Sequence, residues 1–146
     1  MHLVSYDACW PDLFEKEAGI IGYALGDHGV AIHHVGSTSV PGLMAKPIID
    51  ILGVVKDGNA AIQPLQSIGY SYEGSWNIPF QFGFKKKETI LFYLHVFEEQ
   101  HPEIELNLVF RNHLRNHPKS LAAYASLKKN LSLDKNAFLK KMGIFF

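Results

Sequence analysis

The segment that most constrains the fold is HHVGSTSVPGLMAKPIID, residues 33–50, in which a Gly-Ser-Thr-Ser turn separates two apolar runs. Residues 30–35 before the turn and residues 47–55 after it contain many β-branched side chains, which predicts a strand on either side. The turn is then either a phosphate-binding loop or only a connection between two strands.

The turn has the residues of an anion-binding loop. Gly36 follows a strand and lets backbone N–H groups turn toward an anion, and the hydroxyls of Ser37, Thr38 and Ser39 add donors for phosphate oxygens. The loop differs from a Walker A loop, because Lys46 does not directly follow a glycine and no Ser or Thr follows it. Gly and Ser are also common in ordinary turns, so a purely structural role stays open.

A single carboxylate, Asp50, lies inside the apolar run that follows the turn. Burying a charged carboxylate is costly unless it is paired or bound to a metal. Metal coordination is one explanation of Asp50. Pairing with Lys46, or hydrogen bonding to the hydroxyls of the turn, is the other.

The rest of the chain predicts an α+β fold, a mixed β-sheet with helices packed against it. Apolar residues at helical spacing predict a first helix that opens at Asp7 or Pro11 and ends at Gly26. Further predicted elements are a helix in residues 57–69, a hairpin of residues 77–87 and 89–99 with its charged turn at residues 85–88, and a helix in residues 119–131 that follows the stop at Pro118. Residues 102–118 are ambiguous, since their apolar positions fit a strand as well as a helix.

Length and composition limit the class of protein. The 146 residues, 47% of them hydrophobic, suffice for one core, and we expect a single domain over residues 1–146. Fourteen basic and fourteen acidic residues cancel, which disfavours a nucleic acid as partner. The single Cys9, the lack of a signal-peptide pattern and the lack of a membrane-length apolar run predict a soluble cytoplasmic protein without a membrane partner. The oligomeric state stays open.

Several motifs together resemble one protein family. The segments HHVGSTSVPGLMAKPIIDILGVV, YLHVF, LVFRNHLRNHP and YASLKK resemble the GrpB proteins, also called the UPF0157 family, and the resemblance runs from about Tyr6 to Leu131. That family is similar in fold to the nucleotidyltransferase superfamily. The resemblance therefore implies a nucleotidyltransferase-like fold.

The same resemblance implies a metal site that is incomplete here. Nucleotidyltransferases typically have a Gly-Ser turn, then two carboxylates one residue apart on a strand and a third on a neighbouring strand, which together hold two metal ions against a triphosphate. Gly36 and Ser37 match the turn and Asp50 matches the first carboxylate, but Leu52 occupies the position of the second. Whether the chain is an enzyme, a nucleotidyltransferase with an incomplete carboxylate set, is left open.

A further metal ligand could come from His95, or from Glu103 or Glu105 if residues 102–118 are extended. Imidazole suits zinc or manganese better than magnesium, so a site built from Asp50 and His95 would differ from the usual magnesium site. The expected cofactor is a divalent metal, Mg, Mn or Zn. Alternatively, His95 is a strand histidine whose ring bonds to a backbone carbonyl.

Basic residues complete the predicted phosphate site. Lys46 lies beside the turn, and Arg111 and Arg115 lie four residues apart, on one face if this segment is helical. A guanidinium at position 111 could bind a phosphate through two hydrogen bonds. The alternatives for Arg111 are an ion pair with a nearby carboxylate and plain solvent exposure.

The leading hypothesis is a nucleotidyltransferase-fold protein that binds a nucleotide or another phosphorylated small molecule between the turn and Asp50. Phosphate is expected on Gly36, Ser37, Thr38, Ser39, Lys46 and Arg111, metal on Asp50 and His95, and any metal-assisted nucleotidyl transfer on Asp50 and Ser37. The alternative is a non-catalytic binding or accessory module that has lost the second carboxylate. The resemblance links such a module to coenzyme A metabolism, because family members are sometimes fused to a dephospho-coenzyme A kinase.

Overall fold

The computed structural model describes residues 1–128 and 135–144. Its helices and strands are, in chain order, α1 (Trp10–Leu25), β1 (Gly29–Val35), β2 (Ile48–Val55), α2 (Gly58–Ser67), β3 (Ser71–Gly74), β4 (Phe82–Lys87), β5 (Leu91–Glu98), α3 (Pro102–Asn116), α4 (Pro118–Lys128) and α5 (Lys135–Lys141). Two short 3-10 turns, Gly26–His28 and Ser37–Ser39, lie at the two ends of β1.

The five strands form one mixed sheet in the order β1-β2-β5-β4-β3. β2 pairs with β1 in antiparallel orientation and with β5 in parallel orientation. A parallel pair needs a crossover between its strands, and α2 with the β3–β4 segment supplies it. The predicted α+β class, with a mixed sheet and packed helices, is confirmed.

Successive side chains of the central strands point to opposite faces of the sheet, and an apolar layer lies on each face. Ile49 and Ile51 of β2, with Leu94 of β5, face α1 and α2 and belong to the main core. On the opposite face, Leu52 and Phe97 pack beneath α3. Asp50 lies on this second face, because it is separated from Leu52 by one residue.

A third apolar cluster joins the three C-terminal helices to the segment after the glycine turn. Val40 and Leu43 of that segment pack with Phe110 and Leu114 of α3 and with Phe138 of α5. The turn is thus held between the sheet on one side and the helical layer on the other.

Several sequence predictions can be compared with these elements. The first helix, the two strands around the turn and the hairpin of β4 and β5 are confirmed. The ambiguous segment is helical from Pro102 to Asn116, because the apolar side of α3 packs against the sheet and the other C-terminal helices. His117 is extended, and Pro118 begins α4. Residues 85–87 end β4 rather than forming the turn, and Leu131 and residues 145–146 lie outside the described part of the chain.

Within the part of the chain that the structure describes, no helix is long and apolar enough to cross a membrane.

Candidate functional site

The turn between β1 and β2 packs directly on Asp50. Gly36 has φ 73° and ψ −175°, a backbone conformation essentially restricted to glycine. A Cβ atom built at this position would lie 2.6 Å from Asp50 Oδ2. The glycine therefore brings the backbone of the turn into contact with the carboxylate.

Asp50 and His95 form the centre of the site. Asp50 pairs with Tyr93 across the parallel strands, and His95 lies two residues beyond Tyr93 on the same face. Asp50 Oδ1 is 3.0 Å from His95 Nε2, and the two side chains are 27% and 25% exposed. The sheet thus orients both groups while solvent, or a ligand, can still reach them.

Gln81 fixes the orientation of the His95 ring. Gln81 is almost fully buried, and its Nε2 donates to the carbonyl oxygen of Ser75 at 2.7 Å. Its Oε1 therefore accepts from His95 Nδ1 at 2.9 Å, which leaves Nε2 facing Asp50. Nε2 and Oδ1 lie 3.0 Å apart, a separation that allows either a direct hydrogen bond or joint coordination of one cation. Histidines that bind metals are commonly held in this way by a second protein group.

The segment between β3 and β4, residues 75–81, covers the other side of His95. The Trp76 ring meets the His95 ring edge-on, with 5.1 Å between their centroids. Trp76, Asn77 and Phe80 all have positive φ, of 49°, 63° and 64°. Such backbone strain costs about 1 kcal/mol or more per residue and concentrates at functional sites. The strained segment, residues 75–81, therefore packs against His95, the partner of Asp50.

Two adjoining clefts share Asp50. The first, of about 130 Å³, is lined by Val35, Gly36, Asp50, Ile78, Gln81, His95, Phe97, Glu103, Asn107 and Lys135. The second, of about 180 Å³, is lined by Ser37, Thr38, Lys46, Ile48 and Asp50. The structure therefore brings Gly36, Ser37, Lys46 and His95 of the predicted site together around Asp50, with one lysine in each cleft.

Helix α4 reaches the same place through Tyr124. Burial raises the pKa of the Tyr124 phenol, a hydrogen bond with Ser37 acts in the opposite direction, and the negative charge of Asp50 raises the pKa again. Tyr124 is therefore a neutral hydrogen-bonding group that lies close to both Ser37 and Asp50.

Two hydroxyls of the turn point inward. Thr38 is 1% exposed, and its Oγ1 donates to the carbonyl oxygen of Ile48 and accepts from His34 Nε2, both at 3.0 Å. Ser39 is also buried, and its Oγ donates to the carbonyl oxygen of Gly36 at 2.5 Å. In this arrangement both side chains shape the turn, so a phosphate would meet its backbone or Ser37 instead.

Arg111 and Arg115 lie in a different place from the one the phosphate hypothesis requires. α3 is helical, so the two guanidiniums do share one face, but they line a third cleft, of about 250 Å³, that does not include Asp50. Arg111 Nη1 donates to the carbonyl oxygen of His34 at 2.9 Å. Within the described residues, Arg111 has no carboxylate within 4.0 Å, so the alternative role in an ion pair is not observed either.

The second carboxylate position is filled by a core residue. Leu52 is fully buried and packs with Val35 and Phe97. Glu103 lines the first cleft from α3, whereas Glu105 is exposed and does not. Among residues 1–128 and 135–144, no group of three or more His, Cys, Asp or Glu side chains is placed to hold a metal ion. A cation on Asp50 and His95 would therefore need further ligands from water or from a bound phosphate, as is common for hydrated divalent ions.

Sequence reasoning missed four residues of this site: Gln81, Asn107, Tyr124 and Lys135. The one available signal was Gln81, a single polar residue between Phe80 and Phe82. The others lie on helices whose docking positions are set by the tertiary structure.

Comparison with known proteins identifies the family. The model of the GrpB protein family matches residues 1–140. The UPF0157 protein YqkA of Bacillus subtilis is 36% identical over 139 residues, which are 90% of this chain and 40% of that protein. A UPF0157 protein of Halalkalibacterium halodurans is 40% identical over 136 residues, 89% of this chain and 68% of the relative. The chain thus spans well under half the length of the first of these relatives.

A solved structure supports the same assignment. The crystal structure of the conserved protein GrpB from Enterococcus faecalis superposes with a TM-score of 0.82 at 33% sequence identity, covering 97% of this chain and 94% of that one. Sequence and fold agree over nearly the whole length of both chains. The chain described here therefore belongs to the GrpB protein family.

Proposed function

We propose that the chain binds a nucleotide or another phosphorylated small molecule in the two clefts around Asp50, together with one divalent cation. The observation that carries this proposal is the partly exposed pair of Asp50 and His95, whose Oδ1 and Nε2 lie 3.0 Å apart and can therefore ligate one cation together. The glycine turn, in contact with the carboxylate, supplies the surface for the phosphate.

Each residue has a distinct role in this proposal. Asp50 and His95 hold the cation, and Gln81 keeps His95 Nε2 directed at it. Lys46 and Lys135, one in each cleft, balance the negative charge of the phosphate. Imidazole ligation favours Mn²⁺ or Zn²⁺ over Mg²⁺. When bound, the cation would polarise the phosphoryl oxygens.

Calorimetric titration with a nucleoside triphosphate in the presence of Mn²⁺ tests the proposal. Asp50→Ala should abolish metal-dependent binding, because the cation loses its one carboxylate ligand. Asp27→Ala is the matched control, since it removes the same charge from an exposed position at the opposite end of β1. Unchanged binding by Asp50→Ala would refute the proposal.

A second candidate function, a non-catalytic binding or accessory module, is favoured by Leu52. A fully buried leucine at the second carboxylate position leaves no ligand there for a second metal. One assay distinguishes the catalytic function from the non-catalytic one. It measures the release of pyrophosphate from a nucleoside triphosphate in the presence of Mn²⁺. Release that Asp50→Ala abolishes would show transfer of the nucleotidyl group, either to water or to an acceptor hydroxyl, with pyrophosphate as the leaving group. Binding without release would identify the module.

A further inference from the structure

The third cleft, which contains Arg111 and Arg115, does not include Asp50. It runs along β1, the edge strand of the sheet, between the N-terminal half of α1 and α3. We call it the edge cleft; the residues that matter here are Tyr6, Phe14, His33, Ser39, Arg111 and Arg115. Its volume is about 250 Å³, and it shares no lining residue with the two clefts around Asp50.

Both guanidiniums in the edge cleft are anchored by neutral groups. Arg111 donates through Nη1 to the carbonyl oxygen of His34 at 2.9 Å and through Nε to Asn112 Oδ1 at 3.0 Å. Arg115 Nε donates to the carbonyl oxygen of Ser39 at 2.9 Å. A guanidinium has five N–H donors, so these contacts fix the position of each group and occupy only some of its donors.

The positive charge in the edge cleft is not neutralised within the described part of the chain. No carboxylate lies within 4.0 Å of Arg111 or Arg115; Glu15 lines the cleft but is further away. Arg111 and Arg115 lie four residues apart on α3, and like charges at this spacing destabilise a helix. Burial lowers the pKa of Arg111, and the neighbouring Arg115 charge lowers it further.

Burial and the positive charges of Arg111 and Arg115 lower the pKa of the histidines beside the edge cleft. Burial lowers the pKa of His33, and the charge of Arg111 adds to the effect. His34, which stacks on Phe14, has its pKa lowered to about 4 by burial and by Arg115. Both imidazoles are therefore neutral at neutral pH, and the cleft presents two fixed cations.

We propose that the edge cleft is a second anion-binding site, in which Arg111 and Arg115 bind the phosphoryl group of a small molecule. Two positioned guanidiniums match a phosphoryl dianion in charge and can bind its oxygens in pairs, whereas a single carboxylate carries only half that charge. The rings of Tyr6 and Phe14 in the same cleft offer an apolar surface to the rest of the ligand.

Inorganic phosphate is the probe, and NMR of the arginine Nε–H groups is the readout. Titration of the wild-type chain should shift the Nε–H signals of Arg111 and Arg115 in a saturable manner. Arg115→Gln should weaken phosphate binding by about tenfold or more, the scale of one lost charge-assisted hydrogen bond. Lys119→Gln, an exposed charge removed from α4, should leave the affinity unchanged.

A further variant separates the edge cleft from the Asp50 site. Asp50→Asn should leave the shifts of the arginine signals intact, even if it abolishes binding at its own site. Absence of a saturable shift in the wild type, or equal losses in Arg115→Gln and Lys119→Gln, would overturn the edge-cleft proposal. Acetate binding as tightly as phosphate would overturn the phosphoryl assignment. The wild-type titration keeps the test decisive even if a variant does not fold.

Discussion

Replacing Gly36 with alanine tests the contact on which the candidate site is built. The backbone at φ 73° and ψ −175° is essentially closed to alanine, which costs about 1–3 kcal/mol. The new Cβ would also lie 2.6 Å from Asp50 Oδ2 and 2.9 Å from Asp50 Cβ, so the Asp50 side chain must move. Such overpacking costs about 1–3 kcal/mol more. We expect the free energy of unfolding to fall by about 3–4 kcal/mol, and the Tm by about 10 °C.

Gly42→Ala is the matched control for the backbone contribution. Gly42 also has a positive φ, of 85°, but a Cβ there would meet nothing within 4 Å. Its replacement should cost only about 1 kcal/mol. Urea unfolding followed by the fluorescence of Trp10 and Trp76 measures both variants. Equal losses in Gly36→Ala and Gly42→Ala would refute the reasoning.

A double-mutant cycle isolates the contact itself. The three atoms nearest to a Cβ at position 36 all belong to the Asp50 side chain. In an Asp50→Gly background, Gly36→Ala should therefore cost about 1–3 kcal/mol less than in the wild type. Additive losses would mean that the turn does not press on the carboxylate.

Two further predictions concern ionisable side chains in the interior, His34 and Lys86. Burial and the Arg115 charge lower the pKa of His34 to about 4 from an ordinary value of 6.5. Between these two pH values the unfolded chain binds a proton at His34 and the folded chain does not. The free energy of unfolding should therefore fall by about 3 kcal/mol as the pH drops from 6.5 to 4. An NMR titration that placed the His34 midpoint near 6.5 would contradict this. Lys86→Met should cost about 3 kcal/mol in urea unfolding, because Lys86 Nζ pairs with the buried Glu17 Oε2 at 2.5 Å. The exposed neighbour Lys85→Met should cost well under about 1 kcal/mol, and similar losses in both would disprove the buried pair.

Local sequence patterns predicted the part of the site that is close in the chain. Gly36 must be glycine because of its backbone conformation, and its spacing to Asp50 follows from two short strands joined by one turn. His95 was a candidate because it lies in an apolar strand, and the parallel pairing of β2 and β5 brings it to Asp50. The metal and phosphate roles of these residues stay predictions.

The roles of the remaining polar groups depend on contacts between distant segments. The hydroxyls of Thr38 and Ser39 could serve a phosphate in an isolated turn, but tertiary packing buries both. Arg111 matched a phosphate-binding pattern, yet the carbonyl oxygen of His34 places it in the edge cleft.

The sequence by itself determined the family, through the motifs that resemble it. It also determined the α+β class and the glycine turn before a strand carboxylate, because these follow from short-range spacing and backbone sterics. Only the tertiary structure decided that the segment from Pro102 to Asn116 is helical. Its apolar residues fit the spacing of a strand as well as that of a helix, and packing against the sheet and the other helices favours the helix. The same packing docks Tyr124 and Lys135 at the site and divides the basic residues between two clefts. Side chains far apart in the chain meet only when the sheet and the helices are assembled, which no local pattern encodes.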